Sequence, residues 1–597
     1  MGFYLSPLVD VNEIDLSTTI PAVATNIAVT VLRRTWKGPE LKTQFIGNVD
    51  ELIQVFGQPT SGSYKDILSA TGYLAHGDKL YCTRACPPSA TFAGVYTTAA
   101  TGMTVTQYTQ SNAYKLTDLS TQNPDEIGED TVFFDPGRPE VSDNMVIIGN
   151  SRGDWGNYTK ICMCGKDVYD KVTAGSLAAS AIGISSEMYD DIAGVDKPFD
   201  PGAGEGLRDF LIIVKSADQS DINASLIPYN LREVWLVSTD EGKIDDTGKN
   251  LFAEGVINNE SQYIRIVLKE TLKNTNVNTM YTTDYTLLGG GLLGPFYTGE
   301  EDQAVISNLD LFANAEEIDV NLFIDSDKSD TVKSYMITIC EDRMDAMAVL
   351  DCKSDDVINK ATQETDLLRT YRRVTFNPNT SYAAIYGNWL EVYDKWAAKY
   401  RWIPSSGHVA GIYAYTDETT DPWFAPAGLN RAGINNVRRL AWNPKRSHRD
   451  ILYKNGINPI VAFSGQGKVV WGQKTLLDKS SAFNRVNVRR LFMVLEKAIS
   501  TAARYFLFEP NDEITRLLLI NMIEPYLRDV KSRRGIYDFA VVCDSRNNTP
   551  ERIDRNELWC DIYIKPVRSA EFIVLNFIAT KTSAVFSELI ASRTAEI

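Results

Sequence analysis

Apolar and polar positions follow a two-residue period in some stretches of this chain and a helical period in others. FYLSPLVDVNEIDLSTTIP (residues 3–21) alternates Val9 and Val11 with polar neighbours, and Pro7 and Pro21 exclude a helix. Residues 1–24 are therefore expected to form an extended arm. Such an arm needs an external sheet edge to satisfy its backbone groups. NIAVTVLR (26–33) then reads as a strand and NVDELIQVFG (48–57) as a short helix stopped by Gly57. SYKDILSATGYLAHG (63–77) reads as a helix with Tyr64, Ile67, Leu68 and Leu74 on one side, and KLYCTRAC (79–86) as a strand. This β-α-α-β succession predicts an α/β domain.

The texture changes near residue 96. Thr, Gly, Asn and Asp dominate, the apolar runs shorten, and a β-rich insertion with exposed loops is expected over 96–205. Strands return in LIIVK (211–215), REVWLVS (232–238) and YIRIVL (263–268), and NLDLFANAEEIDVNLFID (308–325) reads as helix then strand. SYMITICEDRMDAMAVLD (334–351) resumes the α/β pattern. In AAIYGNWLEVYDKWAAKY (383–400), Trp389, Tyr393, Trp396 and Tyr400 recur at i, i+4, i+7 and i+11, which predicts one helix with an aromatic core face. VRRLFMVLEKAISTAARYFLF (488–508) predicts a long amphipathic helix. A second helix over 510–535 has Asn511 or Asp512 as its cap, Pro525 as a break or kink and Gly535 as its stop. YDFAVVCD (537–544) and DIYIKPV (561–567) read as strands, and AEFIVLNFIAT (570–580) as a second strand-like arm.

Composition sharpens this picture. With 597 residues, 44% apolar positions and ten Trp, the chain can build several packed cores. It has no run of 18 apolar residues and no secretory leader pattern, so membrane insertion is not expected. The eight Cys lack zinc-site spacing and sit mostly in strand-like runs, so buried free thiols are expected. The net charge of −17 is unevenly placed. Residues 431–597 hold 27 Lys+Arg against 17 Asp+Glu, and residues 1–430 hold 33 against 60. A basic final third on an acidic body implies an acidic partner for that third, such as a further copy of the chain. No nucleic-acid-binding pattern is present, and direct nucleic-acid contact is not expected.

Candidate chemistry is sparse. GQGKVVWGQKT (465–475) approaches the phosphate-binding pattern G-x-x-x-x-G-K-[ST] through Gly467 and Gly472. Gln473 then intrudes, which turns Lys474 by about 100° on a helix. A glycine-rich turn between strands is the simpler expectation. There is no G-x-S-x-G elbow. Asp450 beside His448 reads as a charged turn, and Asp554 and Glu557 alternate with Arg552 and Arg555 as salt-bridged neighbours. No enzyme, cofactor or metal site is expected.

Several long stretches resemble the tail sheath proteins of contractile-tailed bacteriophages of the T4-like kind. They are SPLVDVNEIDLSTTIPAVAT, TYRRVTFNPNTSYAAIYGNWLEVYDKWAAKYRWIPSSGHVAGIYAYTD, DPWFAPAGLNRAGI, LYKNGINPIVAFSGQGKVVWGQKTLLDKSSAFNRVNVRRLF, FEPND and RGIYDFAVVCDSRNNTPERIDRNELWCDIYIKPVRSAEFIVLNFIAT. The resemblance is strong over about 1–95 and 335–597 and weak over about 96–334. It implies a multi-domain α/β (α+β) sheath core with extended arms and a β-rich outer insertion. The expected parts are an arm at 1–24, a discontinuous α/β domain at 25–95 plus 335–420, and outer insertions at 96–205 (β-rich) and 206–334 (α/β). A C-terminal sheath domain at 421–570 and an arm at 571–597 complete them.

The resemblance also implies a structural role. The subunit would assemble in the host bacterial cytoplasm as a helical stack of hexameric rings around the tail tube, become part of the virion tail, and contract to drive the tube through the host envelope. Its partners would be copies of itself, the tail tube protein, and baseplate and tail terminator proteins. The arms would add strands to neighbouring subunits, through Val9, Val11 and Ile14 at one end and Phe572, Val574, Leu575 and Phe577 at the other. Arg528, Lys531, Arg533 and Arg534 are candidates for contacting the tube or a neighbour, against the alternative of a solvated helix end. The sheath of a phage-derived contractile injection particle, or a nucleotide-dependent motor at 465–475, are the other readings.

Overall fold

A computed structural model describes residues 25–573 and Leu575, apart from 98–104, 111–112, 114–144, 177, 180–183, 196–207, 223–225, 245–247, 269–271 and 275–281. At its centre is a seven-stranded sheet. In spatial order its strands are Ile457–Asn458, Ala383–Tyr386, Met347–Asp351, Leu322–Ile324, Ala28–Arg33, Leu80–Ala85 and Gln44–Ile46. All neighbours pair parallel except the last two. The central strands are buried on both faces, which is why AVTVLR and MAVLD carry apolar side chains at both alternating sets of positions. One face packs Leu32, Met347 and Val349 against Phe56, Ile67, Tyr73 and Tyr413 from the helices Val49–Phe56, Tyr64–Leu74 and Ser406–Thr419. The other packs Val29, Val31 and Leu350 against Val305, Met336 and Trp389, with the helices Glu300–Asp310 and Asp330–Arg343 on that side.

Between residues 94 and 287 the chain forms two antiparallel four-stranded sheets. Ile264–Leu268, Met145–Gly149, Gly94–Thr97 and Val105–Gln107 make one; Thr283–Leu287, Thr159–Gly165, Asp209–Ser216 and Asn230–Ser238 make the other. They share a core that includes Val95, Ile147, Ile161, Ile212 and Ile266. The expected division at 205 therefore falls between strands that pair with each other. Met163 lies opposite Ile212, and Ile147 opposite Ile266. The helix at 300–310 and the strand at 322–324 belong to the central body, and chain beyond residue 420 still supplies it with Ile457–Asn458.

The single helix expected over 383–400 is absent. Ala383–Tyr386 lies in the central sheet, and Trp389–Asp394 and Lys399–Pro404 form a hairpin that also pairs with Val437–Leu440. The Asp394 carboxylate accepts the N–H groups of Trp396 and Ala397 at 3.1 Å each, and Ala398 takes φ 50°. An aspartate holding two following N–H groups makes a turn without glycine or proline. Only Trp389 of the aromatic set is deeply buried; Tyr393 and Tyr400 are exposed, with their rings tilted against each other at 5.2 Å between centroids.

The C-terminal part packs the helices Val486–Ala503 and Glu513–Ser532 around Leu491, Leu495, Leu519, Ile523 and Leu527. Asp512 caps the second helix by accepting the Thr515 N–H at 2.8 Å, and the helix continues through Pro525. Its stop differs in detail from the expected one. Arg534 takes the left-handed conformation, φ 66°, and the Gly535 N–H closes on the Val530 carbonyl at 2.9 Å. Ile536–Val542 and Asp561–Pro566 form a two-stranded antiparallel ribbon beside them.

Candidate functional site

The glycine-rich stretch settles into a hairpin. Ile460–Phe463 pairs antiparallel with Gly467–Val470, and Gly465 and Gly467 turn the corner at φ 75° and 82°. A Cβ on Gly472 would meet Asn458 Oδ1 at 2.9 Å and Pro459 Cδ at 3.0 Å, so that glycine serves close packing. Lys474 is committed elsewhere. Its N–H donates to Asn458 Oδ1 at 2.6 Å, its Nζ donates to the Tyr453 carbonyl at 2.7 Å, and the ammonium lies over the Tyr453 ring. Burial lowers its pKa, and Arg485 beside it adds to the effect. No phosphate cradle forms there.

In parallel sheets, ligands gather outside the carboxyl ends of strands, where strand order reverses. Here that crevice, between Ala28–Arg33 and Leu322–Ile324, is filled by the protein's own charges. Arg33 holds Asp66 through Nε at 2.9 Å and Nη2 at 3.0 Å, and Lys328 donates to the same carboxylate at 3.3 Å. Lys333 pairs with Asp325 at 3.3 Å and donates to the Asp351 carbonyl at 2.7 Å. Asp351 Oδ1 accepts the N–H groups of Ser405 and Ser406 at 2.8 Å each, at the start of the helix Ser406–Thr419. Burial and the neighbouring Asp325 charge push Asp351 up to about 7. Burial works to raise Asp66 as well, but Arg33 and Lys328 hold it below the usual carboxylate range. Among the described residues no cluster of His, Cys, Asp and Glu could hold a metal, and no helix is long and apolar enough to cross a membrane. The eight cysteines are free; seven are buried and Cys560 is half-buried. Burial pushes the Cys82, Cys340 and Cys352 thiols up, away from reactive thiolate.

The four candidate cations lie at the end of the helix Glu513–Ser532. Arg528 pairs with Glu524 at 2.7 Å and Lys531 with Asp538 at 2.9 Å. Arg533 pairs with Asp421 and lies over the Trp423 ring, whose Nε1 donates to the Arg533 carbonyl at 3.1 Å. Three of the four thus have acidic partners within their own subunit. Of the arm residues, Phe572 and Leu575 are exposed, with Ile573 beside them. Val9, Val11, Ile14, Val574 and Phe577 lie outside the described residues.

At the two limits of the described residues, the structure shows contacts that the sequence did not signal. Glu571 accepts from Arg485 Nε at 2.6 Å, Arg485 Nη2 at 2.9 Å and the Tyr453 hydroxyl at 2.9 Å. Gln473, the residue that spoils the phosphate pattern, donates to Ser569 and Glu571. At the other end, Arg490 donates to the Thr25 carbonyl at 3.3 Å and forms a bidentate pair with Asp417 at 2.8 and 2.6 Å. These partners are far apart in the chain. The only local clue was a lone acid, Glu571, opening an apolar run.

Two family models match this chain: the phage tail sheath protein central domain over residues 306–476 and the phage tail sheath C-terminal domain over 478–580. The tail sheath protein of Vibrio phage KVP40 is 31% identical, with the alignment covering 98% of this chain and 99% of that protein. The tail sheath protein of Enterobacteria phage T4 is 28% identical over the same shares. Among solved structures, the sheath tail protein of Listeria innocua has a TM-score of 0.50 at 12% identity, covering 93% of this chain and 94% of that one. That last likeness concerns the fold alone.

Proposed function

This chain belongs to the phage tail sheath protein family, and on that premise we propose how it works as a contractile sheath subunit. The full-length match to two phage tail sheath proteins is the observation that carries the reading. Subunits assemble as stacked hexameric rings around a tail tube, between baseplate and tail terminator, and form part of the virion tail after assembly in the host bacterial cytoplasm. Contraction of the stack drives the tube through the host envelope for genome delivery. Nothing in this mechanism requires an enzyme. The energy resides in subunit contacts that rearrange between two packings. The geometry around Lys474, engaged by Tyr453 and Asn458, speaks against a nucleotide-dependent motor at 465–475. A phage-derived injection particle would use the same subunit physics; the two phage relatives favour the phage tail.

The arms are the proposed links between subunits. Phe572, Ile573 and Leu575 stand exposed, which is costly for an isolated subunit and suits strand addition to a neighbour's sheet. A strand added by Val9, Val11 and Ile14, or by Phe572, Val574, Leu575 and Phe577, gains about 0.5–1.5 kcal/mol per net hydrogen bond. Each well-buried apolar side chain adds about 1.5–3 kcal/mol. Such a link survives a large rigid-body rotation while flatter contacts rearrange. Arg534, together with Arg528, Lys531 and Arg533, forms the proposed charged contact with the tube or a neighbouring subunit. Deleting residues 1–20 is expected to abolish tube formation and leave a folded monomer. Normal tubes from the truncated chain would refute the arm reading.

A further inference from the structure

Residues close to both limits of the described chain are tied to one helix. The N-terminal segment leaves the described residues at Thr25, whose carbonyl accepts from Arg490. The C-terminal segment leaves just after Glu571, whose carboxylate is gripped by Arg485. Arg485 is the N-cap of the helix Val486–Ala503, and Arg490 lies in its second turn. Five residues separate them, about 7.5 Å of helix rise. Thr25 and Glu571 are therefore both held by side chains of a single helix, set about 7.5 Å apart along its axis and roughly 140° apart around it.

The same helix joins the two halves of the body. Val486 and Met493 pack into the central core, whereas Leu491, Leu495 and Ala502 pack into the C-terminal one. Arg490 and Asp417 are both nearly fully buried, and the Arg490 guanidinium also lies over the Tyr413 ring, 4.9 Å from its centre. Tyr413 in turn shares a hydrogen bond with Tyr386 of the central sheet at 2.6 Å. Further along, Lys497 reaches back to Asp345 at 2.9 Å. A pull at Glu571 is thus received by this braced helix, and a pull at Thr25 is shared between the helix and the strand Ala28–Arg33, which begins three residues further on.

We propose that Arg485 and Arg490 are positioning residues of the inter-subunit links: they fix the exit points of both arms on the Val486–Ala503 helix, so that load passes from one neighbouring subunit to the next through this helix. Glu571 and the Thr25 carbonyl are the groups they hold. Glu571 gains further grip from Tyr453 and Gln473, which explains in structural terms why Gln473 stands where a phosphate loop would need its lysine. The Arg485–Glu571 pair is half-buried at the surface, so it can be broken without opening a core. The proposal rests on the reading that the arms join subunits.

The test uses the full chain, with tube formation followed by light scattering and electron microscopy and the monomer by thermal melting. Arg485→Ala and Glu571→Ala are expected to leave the melt unchanged and to raise the critical concentration for tubes about tenfold, the loss of one charge-assisted contact. Glu571→Gln, which keeps the acceptor for Tyr453, should fall between. The double variant should behave like either single one, because both remove the same contact. For the other exit, Arg490→Lys keeps the charge but loses the two-nitrogen fork that holds Asp417 and Thr25 together, and should shift assembly in the same direction. A chain truncated after residue 573 separates the two layers of the argument. If truncation leaves assembly normal, the arm reading fails. If truncation abolishes tubes while Arg485→Ala and Glu571→Ala assemble at the parental concentration, the arms stand and the anchoring role is overturned.

Discussion

Asp66 is the residue on which the charged crevice of the central body turns. Its side chain is 1% exposed, on the helix Tyr64–Leu74, and it faces two cations, Arg33 at 13% and Lys328 at 1%. It accepts from the Arg33 N–H at 2.9 Å, from Arg33 Nε and Nη2, and from Lys328 Nζ. Asp66→Ala leaves both cations buried without their main counter-charge, which costs about 3–5 kcal/mol. Glu301, 3.0 Å from Arg33 Nη1, compensates only one of the two. Asp66→Asn keeps an acceptor but drops the charge, and should cost about 1.5–3 kcal/mol. Urea unfolding of the central body, followed by tryptophan fluorescence with buried Trp389 as reporter, reads both. The pH dependence has a definite sign. Because the folded protein holds this carboxylate below its ordinary value of 3.8, its contribution is complete above that pH and is lost only as pH falls further. The gap between parent and variant should therefore be equal at pH 5 and pH 7. An Asp66→Ala protein within about 0.5 kcal/mol of the parent, the range of inert surface changes, would refute the reasoning.

Three further outcomes follow from the same geometry. A Cβ at Gly407 would lie 2.0 Å from the Ser69 carbonyl, where two helices touch, so Gly407→Ala should destabilise by about 1–3 kcal/mol or more in the same assay. Gly433→Ala, with nothing within 4 Å of its Cβ, is the near-neutral comparison. Burial lowers His408 from its ordinary 6.5 to about 4, with the nearby His76 charge adding to the effect, so it stays neutral in the fold while the unfolded chain takes up a proton. Stability should then be full above pH 6.5 and fall by up to ~3 kcal/mol towards pH 4, and the slope of denaturation free energy against pH should flatten in His408→Gln. Arg534→Glu is a cleaner probe of the proposed tube contact than Arg533→Glu, which would set a second acid beside Asp421. Slower assembly on added tail tube supports the contact, and unchanged assembly assigns Arg534 to ending its helix.

The parts of the fold that were legible in the sequence are those whose signals are local. AVTVLR and MAVLD are apolar because both faces of their strands are covered, and Asp512 caps its helix as an aspartate before a helical run should. The hairpin at 389–404 was masked by coincidence. Trp389, Tyr393, Trp396 and Tyr400 fit a helical stripe, while Trp389, Glu391 and Tyr393 also fit one face of a strand, and the turn between the strands carries neither glycine nor proline. Its only marker was Asp394, a turn-forming side chain whose role appears once Trp396 and Ala397 are seen to donate to it. The stretch between residues 94 and 287 defeats a linear reading for a different reason: its sheets are closed by strands from both sides of residue 205, and pairing partners leave no mark on composition. The same holds for the contacts of Thr25 and Glu571. Arg485 and Glu571 are 86 residues apart, and Arg490 and Thr25 are 465 apart. The displaced Lys474, by contrast, was readable from spacing alone, and the structure places it on Tyr453.

The central claim is that this chain assembles into a sheath through its own contacts, without nucleotide. Electron microscopy of the purified full-length protein, with no nucleotide added and then with tail tube supplied, tests it most directly. The account predicts long hollow tubes with six-fold helical order, formed alone or once the tube is present to nucleate them. A protein that stays monomeric even on its tail tube, or that forms tubes only when nucleotide is added, would contradict it.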